Sequence, residues 1–151
     1  MGIKTVYLIL KWFFGLLVVA TGVGKLLDNR GFADVILTYQ FGLPHPVAMV
    51  MGLAVSLFEL VLGLSLLSTS VKGTQQRNGL LLILMHAGYV VLATISNLRG
   101  LNLINCGCFG VFWGRSLTWA TVVEDVVLLS FSVLFYFLVK KQIFKKEVTN
   151  L

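Results

Sequence analysis

Residues 47–67 read VAMVMGLAVSLFELVLGLSLL, an apolar run broken by one acid, Glu59. A hydrocarbon core takes roughly 20 helical residues to cross. In lipid, a segment must bond its own backbone N–H and C=O groups, so a run of this length folds as a helix. Three more runs of the same kind lie around it: Val6 to Leu27, Leu80 to Leu98 and Trp119 to Val139. The composition agrees with this reading. Of 151 residues, 58% are hydrophobic and 12% charged, against about 25% charged in an ordinary soluble domain. The mean hydropathy of +0.93 leaves too little polar surface to cover a water-soluble globule. A soluble enzyme, a disordered chain and a disulfide-rich secreted miniprotein are excluded. The expected fold class is an all-α integral membrane protein: a four-transmembrane-helix bundle forming a single domain over residues 1–151.

Val6 to Leu27 is too long for the apolar core of a signal peptide, contains Lys11 and is followed by no small-residue cleavage site, so it reads as a span. With four spans, both termini fall on one side. That side carries Lys4, Lys11, Lys72, Arg77, Lys140, Lys141, Lys145 and Lys146; the other carries Lys25, Arg30, Arg99 and Arg115. Eight cations against four place both termini in the cytoplasm by the positive-inside rule. The expected location is a bacterial cytoplasmic (inner) membrane, crossed several times, with the two longer loops facing the periplasm. The net charge of +6 is concentrated in the lysine tail. That tail reads as a topology signal and a contact for anionic lipid rather than for nucleic acid. The sequence leaves the oligomeric state open.

In the first outer loop, Phe32, Val35, Ile36 and Tyr39 share one helical face while Asp34 and Thr38 lie off it. This pattern fits a short interfacial helix, and equally a loop or an extension of the first span. In the second span, Ala48, Gly52 and Ser56 recur every four residues, a spacing that lets membrane helices approach closely.

The sharpest chemical feature is Asn105-Cys106-Gly107-Cys108-Phe109-Gly110, which holds both cysteines of the chain on the second outer loop. Outside the cytoplasm such thiols oxidise and stay oxidised. A Cys-x-Cys disulfide closes a very small ring, and strained or exposed disulfides are the labile, catalytic kind. Gly107 supplies the backbone freedom for the bend. Arg99 and Arg115 flank the loop and favour a thiolate. Two buried structural thiols and a soft-metal site for Cu(I) are the alternatives. No metal is expected, because zinc would need further ligands and only His45 and the carboxylates of the last span are near. Phe109, Phe112 and Trp113 follow at once and suit a loop at headgroup depth. A quinone ring could approach there, although aromatic anchoring alone explains them.

Ionisable residues inside a membrane are costly and mark function. At about 1.5 Å per residue, Glu59 and His86 lie roughly 20 and 18 Å from the outer ends of their spans, so a Glu59–His86 hydrogen bond is geometrically open, either as a proton relay or, equally, as a structural polar contact that holds the bundle together. Lys25 lies near the outer end of the first span, and Glu124 and Asp125 about 8 Å inside the outer end of the last. Lys25 is expected to pair with one of those carboxylates. Lys11, nearer the inner end, is expected to snorkel toward water.

These residues together resemble the MauE branch of the MauE/DoxX family of redox-associated membrane proteins. Gly22-Val23-Gly24-Lys25-Leu26 is similar to the family's Gly-x-x-Lys signature closing the first span, here with an extra glycine. The Phe32 to Tyr39 stretch, Glu59-Leu60 and Gly63 follow in family order. Cys106-Gly107-Cys108-Phe109-Gly110 resembles the MauE-type CGCFG motif. The resemblance covers nearly the whole chain. It implies a four-helix membrane protein working with a periplasmic thioredoxin-like partner in disulfide formation, for methylamine dehydrogenase maturation in the MauE case. Through DoxX-type relatives it implies a link to quinone. On this basis Cys106 and Cys108 are the expected catalytic pair of a thiol–disulfide oxidoreductase. Lys25, Glu59, His86, Arg99, Arg115, Glu124 and Asp125 are expected to support it, and Phe109, Phe112 and Trp113 to form a quinone edge. The rival readings are a non-catalytic membrane assembly factor and a small proton-coupled transporter using Glu59.

Overall fold

The computed structural model describes residues 2–68, 72–112 and 114–149, with backbone alone at 72 and 142–149. Trp113 therefore lies outside the described residues, as do the side chains of Lys72, Lys145 and Lys146. Five helices follow one another: α1 (Ile3–Leu27), α2 (Asn29–Thr38), α3 (His45–Ser68), α4 (Lys72–Leu98) and α5 (Trp119–Thr149), with no strand among the described residues. Four of them, α1, α3, α4 and α5, are long and apolar enough to cross a membrane. Their outer faces are apolar as well. Leu16, Val61, Leu84 and Val123, one from each span, are 57 to 65% exposed, a surface suited to lipid and not to water.

Two boundaries extend by about two turns or more beyond the apolar runs. α4 begins at Lys72 rather than Leu80, because its polar first turns have partners on α3. Gln75 Nε2 donates to Leu66 O at 3.1 Å, one of the carbonyls that a helix end leaves unbonded, and Asn78 Nδ2 donates to Ser65 Oγ at 2.9 Å. α5 continues through the lysine tail to Thr149, since lysine and glutamine are good helix formers once clear of lipid.

Lipid supplies no hydrophobic drive between helices, so association rests on close packing. α1 packs chiefly on α3, and α4 on α5, while the two pairs meet more sparsely. The Ala48–Gly52–Ser56 stripe is buried. Its Gly52 receives α2: a Cβ there would stand 3.1 Å from the Phe32 ring. Two apolar clusters result. One, built on Phe14, Leu66, Leu82 and Phe135, lies toward the end holding the termini. The other joins Phe32, Val35 and Tyr39 to Ala93, Leu103, Cys106, Leu117 and Val122 at the opposite end, here termed the cysteine end.

The first outer loop thus contains a true helix, α2. Asp28 caps it by accepting from Gly31 N at 2.8 Å, and its apolar face turns onto α3 and the cysteine loop. Lys11 departs from expectation. It is only 7% exposed, so its side chain turns into the bundle instead of snorkelling outward. It stands on the face of α1 that carries Leu10, Phe14 and Val18 into the core.

Candidate functional site

The cysteine loop is fixed by hydrogen bonds from four directions. Cys106 N donates to Arg115 O at 2.7 Å, and Leu117 N to Leu103 O at 2.9 Å, tying the two arms of the loop together. Asn105 straps the turn: its Oδ1 accepts from Gly107 N at 2.8 Å and its Nδ2 donates to Gly110 O at 3.1 Å. Tyr39, just past α2, donates its hydroxyl to Cys106 O at 2.8 Å. Lys25 of α1 donates to Cys108 O at 3.0 Å. Gly107 has φ +74° and lies against Phe32 and Val35, a position where a side chain would be both strained and obstructed. Within this frame Cys106 and Cys108 are paired across Gly107, with Cα atoms 5.5 Å apart, inside the span that a disulfide bridges. Cys106 is buried at 8% exposure and Cys108 is half-buried.

The loop rests directly on α1. A Cβ at Gly24 would stand 2.7 Å from Phe109 O, so only glycine lets the loop lie this close. The next residue, Lys25, is 2% exposed, and its Nζ donates to Glu59 Oε1 and Oε2 at 2.8 and 2.7 Å. Tyr89 of α4 donates its hydroxyl to the same Glu59 oxygen. The ammonium also lies 5.6 Å from the Phe32 ring centre and 5.8 Å from that of Tyr89, within cation–π range. A buried charge pair is tolerated only when its remaining protons and lone pairs have partners. Here the lysine has three acceptors and the carboxylate a further donor.

Two expected pairings are corrected by this geometry. Lys25 pairs with Glu59 and not with Glu124 or Asp125. The reason is the height of α1 on α3: Gly22 lies level with Glu59, a Cβ there standing 3.2 Å from Glu59 Cβ, and Lys25, about one turn further out, reaches back to the carboxylate because helical side chains lean toward the helix N-terminus. α2 and the cysteine loop then cover Lys25, which is not at the molecule's edge. Glu59 likewise does not pair with His86. Depth along a helix does not fix direction around it. His86 turns to Ser132 of α5, Oγ to Nδ1 at 2.9 Å, and to Leu82 O at 3.0 Å, with Phe14 beside its ring. Tyr89, about one turn further along α4, faces Glu59 instead.

The arginines serve the loop's frame. Arg99 donates to Tyr39 O at 3.0 Å, holding the segment that caps Cys106. Arg115 pairs with Glu124 at 2.5 Å. Burial, and then the Asp125 carboxylate, push the Tyr39 phenol up to about 12, so it remains a donor to Cys106 O. His45 pairs with Asp34 at 3.1 Å on the exposed surface. No three His, Cys, Asp or Glu side chains converge to hold a metal among the described residues. Tyr39, Tyr89 and Asn105 had no site role in the sequence reading. Tyrosine is ordinary in spans and asparagine in loops, and the one available signal was that Asn105 adjoins the cysteines.

The two cysteines, Lys25, Glu59, Tyr89, His86 and Asp125 all border one cavity of about 240 Å³. Phe109 is in its wall, while Phe112 is not and is 67% exposed. The chemistry available here is thiol–disulfide exchange beside a buried, charge-balanced and proton-bearing cluster. In comparisons with known proteins, the family model described as methylamine utilisation protein MauE matches residues 3–138. Neither the curated proteins nor the solved structures yield a match.

Proposed function

This chain belongs to the methylamine utilisation protein MauE family, and from that premise we propose that it is a membrane thiol–disulfide oxidoreductase serving disulfide formation in secreted proteins. Cys106 and Cys108 cycle between disulfide and dithiol. A thioredoxin-like partner on the far side of the membrane from the termini exchanges with them. A partner thiolate attacks one sulfur and forms a mixed disulfide, while the other cysteine leaves as thiolate. The partner's second thiolate then closes its own disulfide and releases the dithiol here. Two electrons pass from partner to protein. In the methylamine context the secreted protein is one whose maturation requires disulfides, such as methylamine dehydrogenase.

The observation that carries this reading is the cysteine pair itself, held across Gly107 with each carbonyl anchored by a different element, Tyr39 for Cys106 and Lys25 for Cys108. Anchored carbonyls hold the backbone while the sulfurs change partners. Since Cys106 is the more deeply buried, Cys108 is the sulfur that the partner attacks. The transporter reading is disfavoured, because Glu59 is engaged by both Lys25 and Tyr89.

Mixed-disulfide trapping tests the proposal. Cys106→Ser is expected to retain a disulfide-linked thioredoxin-like protein through Cys108, and Cys108→Ser to retain much less. A redox titration is expected to place the pair above roughly −300 mV, the level below which structural disulfides lie. Full function with both cysteines replaced by serine would favour the non-catalytic assembly factor.

A further inference from the structure

The cavity beside the cysteines has a second use. It lies between the α1–α3 and α4–α5 pairs, where the packing is sparsest, and α2 with the cysteine loop roofs it. Most of its wall surface is apolar, as at Leu17, Val55, Met85, Leu92 and Leu128, and little of it is polar. Phe41 and Met51 line it and are also 51 and 42% exposed, so it reaches the apolar outside of the bundle. A ligand entering there comes from lipid.

Two of the polar groups are disengaged. His86 Nδ1 faces the Leu82 carbonyl and so carries its proton there, and its Nε2 forms no hydrogen bond among the described residues. Asp125 likewise has no hydrogen bond or ion pair among them. Lys25, Glu59 and Tyr89, by contrast, are fully occupied with one another and with the loop.

We propose that this cavity is the seat of a lipid-soluble quinone of the benzoquinone or naphthoquinone class. The inference rests on the redox reading above in its electron balance. Re-closing Cys106–Cys108 breaks two S–H bonds, forms one S–S bond and releases two electrons and two protons. The chain brings no other cysteine to take them. An acceptor that enters from lipid must be apolar and take two electrons with two protons, and a quinone becoming the quinol has that balance. The apolar wall suits its tail and ring. His86 Nε2 and Asp125 are the acceptors free to take up the thiol protons, pass them to the quinone oxygens and then accept from the quinol hydroxyls. The site thus lies inside the bundle, among the spans, and not along Phe112 on the loop's outer edge.

The test uses the full chain in nanodiscs of defined, quinone-free lipid, with decylubiquinone as probe and bound quinone measured after separation. Wild type is expected to bind saturably with one equivalent per chain. Pre-reduced wild type is expected to form one quinol per chain, and Cys106→Ser/Cys108→Ser treated in the same way to form none. Met85→Trp and Leu92→Trp, which fill the cavity from separate turns of α4, are each expected to bind about tenfold more weakly. Uptake that rises in proportion to lipid without saturating would mean an acyl chain fills the cavity, and would overturn the proposal. So would saturable binding unchanged by both tryptophans in folded protein. The two readings fail separately. Saturable binding without partner trapping leaves the quinone seat and removes the exchange. Trapping without saturable binding does the reverse.

Discussion

The Lys25 ammonium has three protons, and each meets an acceptor: both oxygens of Glu59 and the Cys108 carbonyl. Removing one member of such a buried pair strands the other, at a cost of about 3–5 kcal/mol. Lys25→Met and Glu59→Met are therefore each expected to destabilise strongly, and the double replacement to cost far less than their sum. Unfolding in detergent measures the cycle, and additive losses would sink the coupling. The same cycle run on Glu59 and His86 is expected to be additive, since those two do not touch. Tyr39 lends itself to a pH test. Its phenol, at about 12 in the fold against 10.0 ordinarily, is held neutral, which stabilises the folded state fully below pH 10. As pH rises from 10 toward 12 the unfolded chain ionises first and that stabilisation is lost. A stability profile over this window is expected to fall in wild type and to fall less steeply in Tyr39→Phe. The mutant starts lower by about 1 kcal/mol for the lost bond to Cys106 O.

At the scale of elements, α2 is the part whose role depends on tertiary structure. Its helical spacing is legible in Phe32, Val35, Ile36 and Tyr39, but the surface that this face meets is not. An apolar face reads the same whether it covers lipid or protein, and here it covers α3 and the cysteine loop. The spans were legible because lipid permits nothing but helix over such runs. Their polar extensions at Lys72 and beyond Val139 were not, since hydropathy ends where lipid ends and a helix need not. The cysteines, Lys25 and Glu59 stood out because their types are costly or reactive in those places. Who pairs with whom depends on rotation about each helix axis, which residue counting does not give. α2 can be loosened without touching the loop. Asp28→Ala removes its N-cap, worth about 1 kcal/mol. This variant is expected to exchange α2 amides faster and, after reduction, to alkylate Cys106 faster, because the roof over that sulfur opens more often. Unchanged alkylation with faster α2 exchange would show that α2 does not govern access to the sulfur.

For the whole molecule, the contacts set the two ends apart. Tyr7 stacks on Phe135, and Gln75 reaches Leu66, at the end where α1 begins and α5 finishes; Gly24 meets Phe109 at the other. Eight cations belong to the first end by sequence and four to the second. At the second end Lys25 is neutralised by Glu59, and Arg115 is paired with Glu124. The insertion machinery reads lysine and arginine near span ends, and on that rule we propose that both termini face the cytoplasm and Cys106 and Cys108 face outward. This orientation is also what the chemistry needs, since a thiol pair facing glutathione-rich cytosol would be held reduced. In intact cells treated first with a permeant reductant, a membrane-impermeant maleimide is expected to label the wild type. Labelling is expected to be stronger in Cys106→Ser, which keeps Cys108, than in Cys108→Ser. A cysteine placed at Lys141 in a cysteine-free background is expected to label only after lysis. The opposite pattern at both sites would invert the molecule and remove the oxidising environment on which the exchange depends.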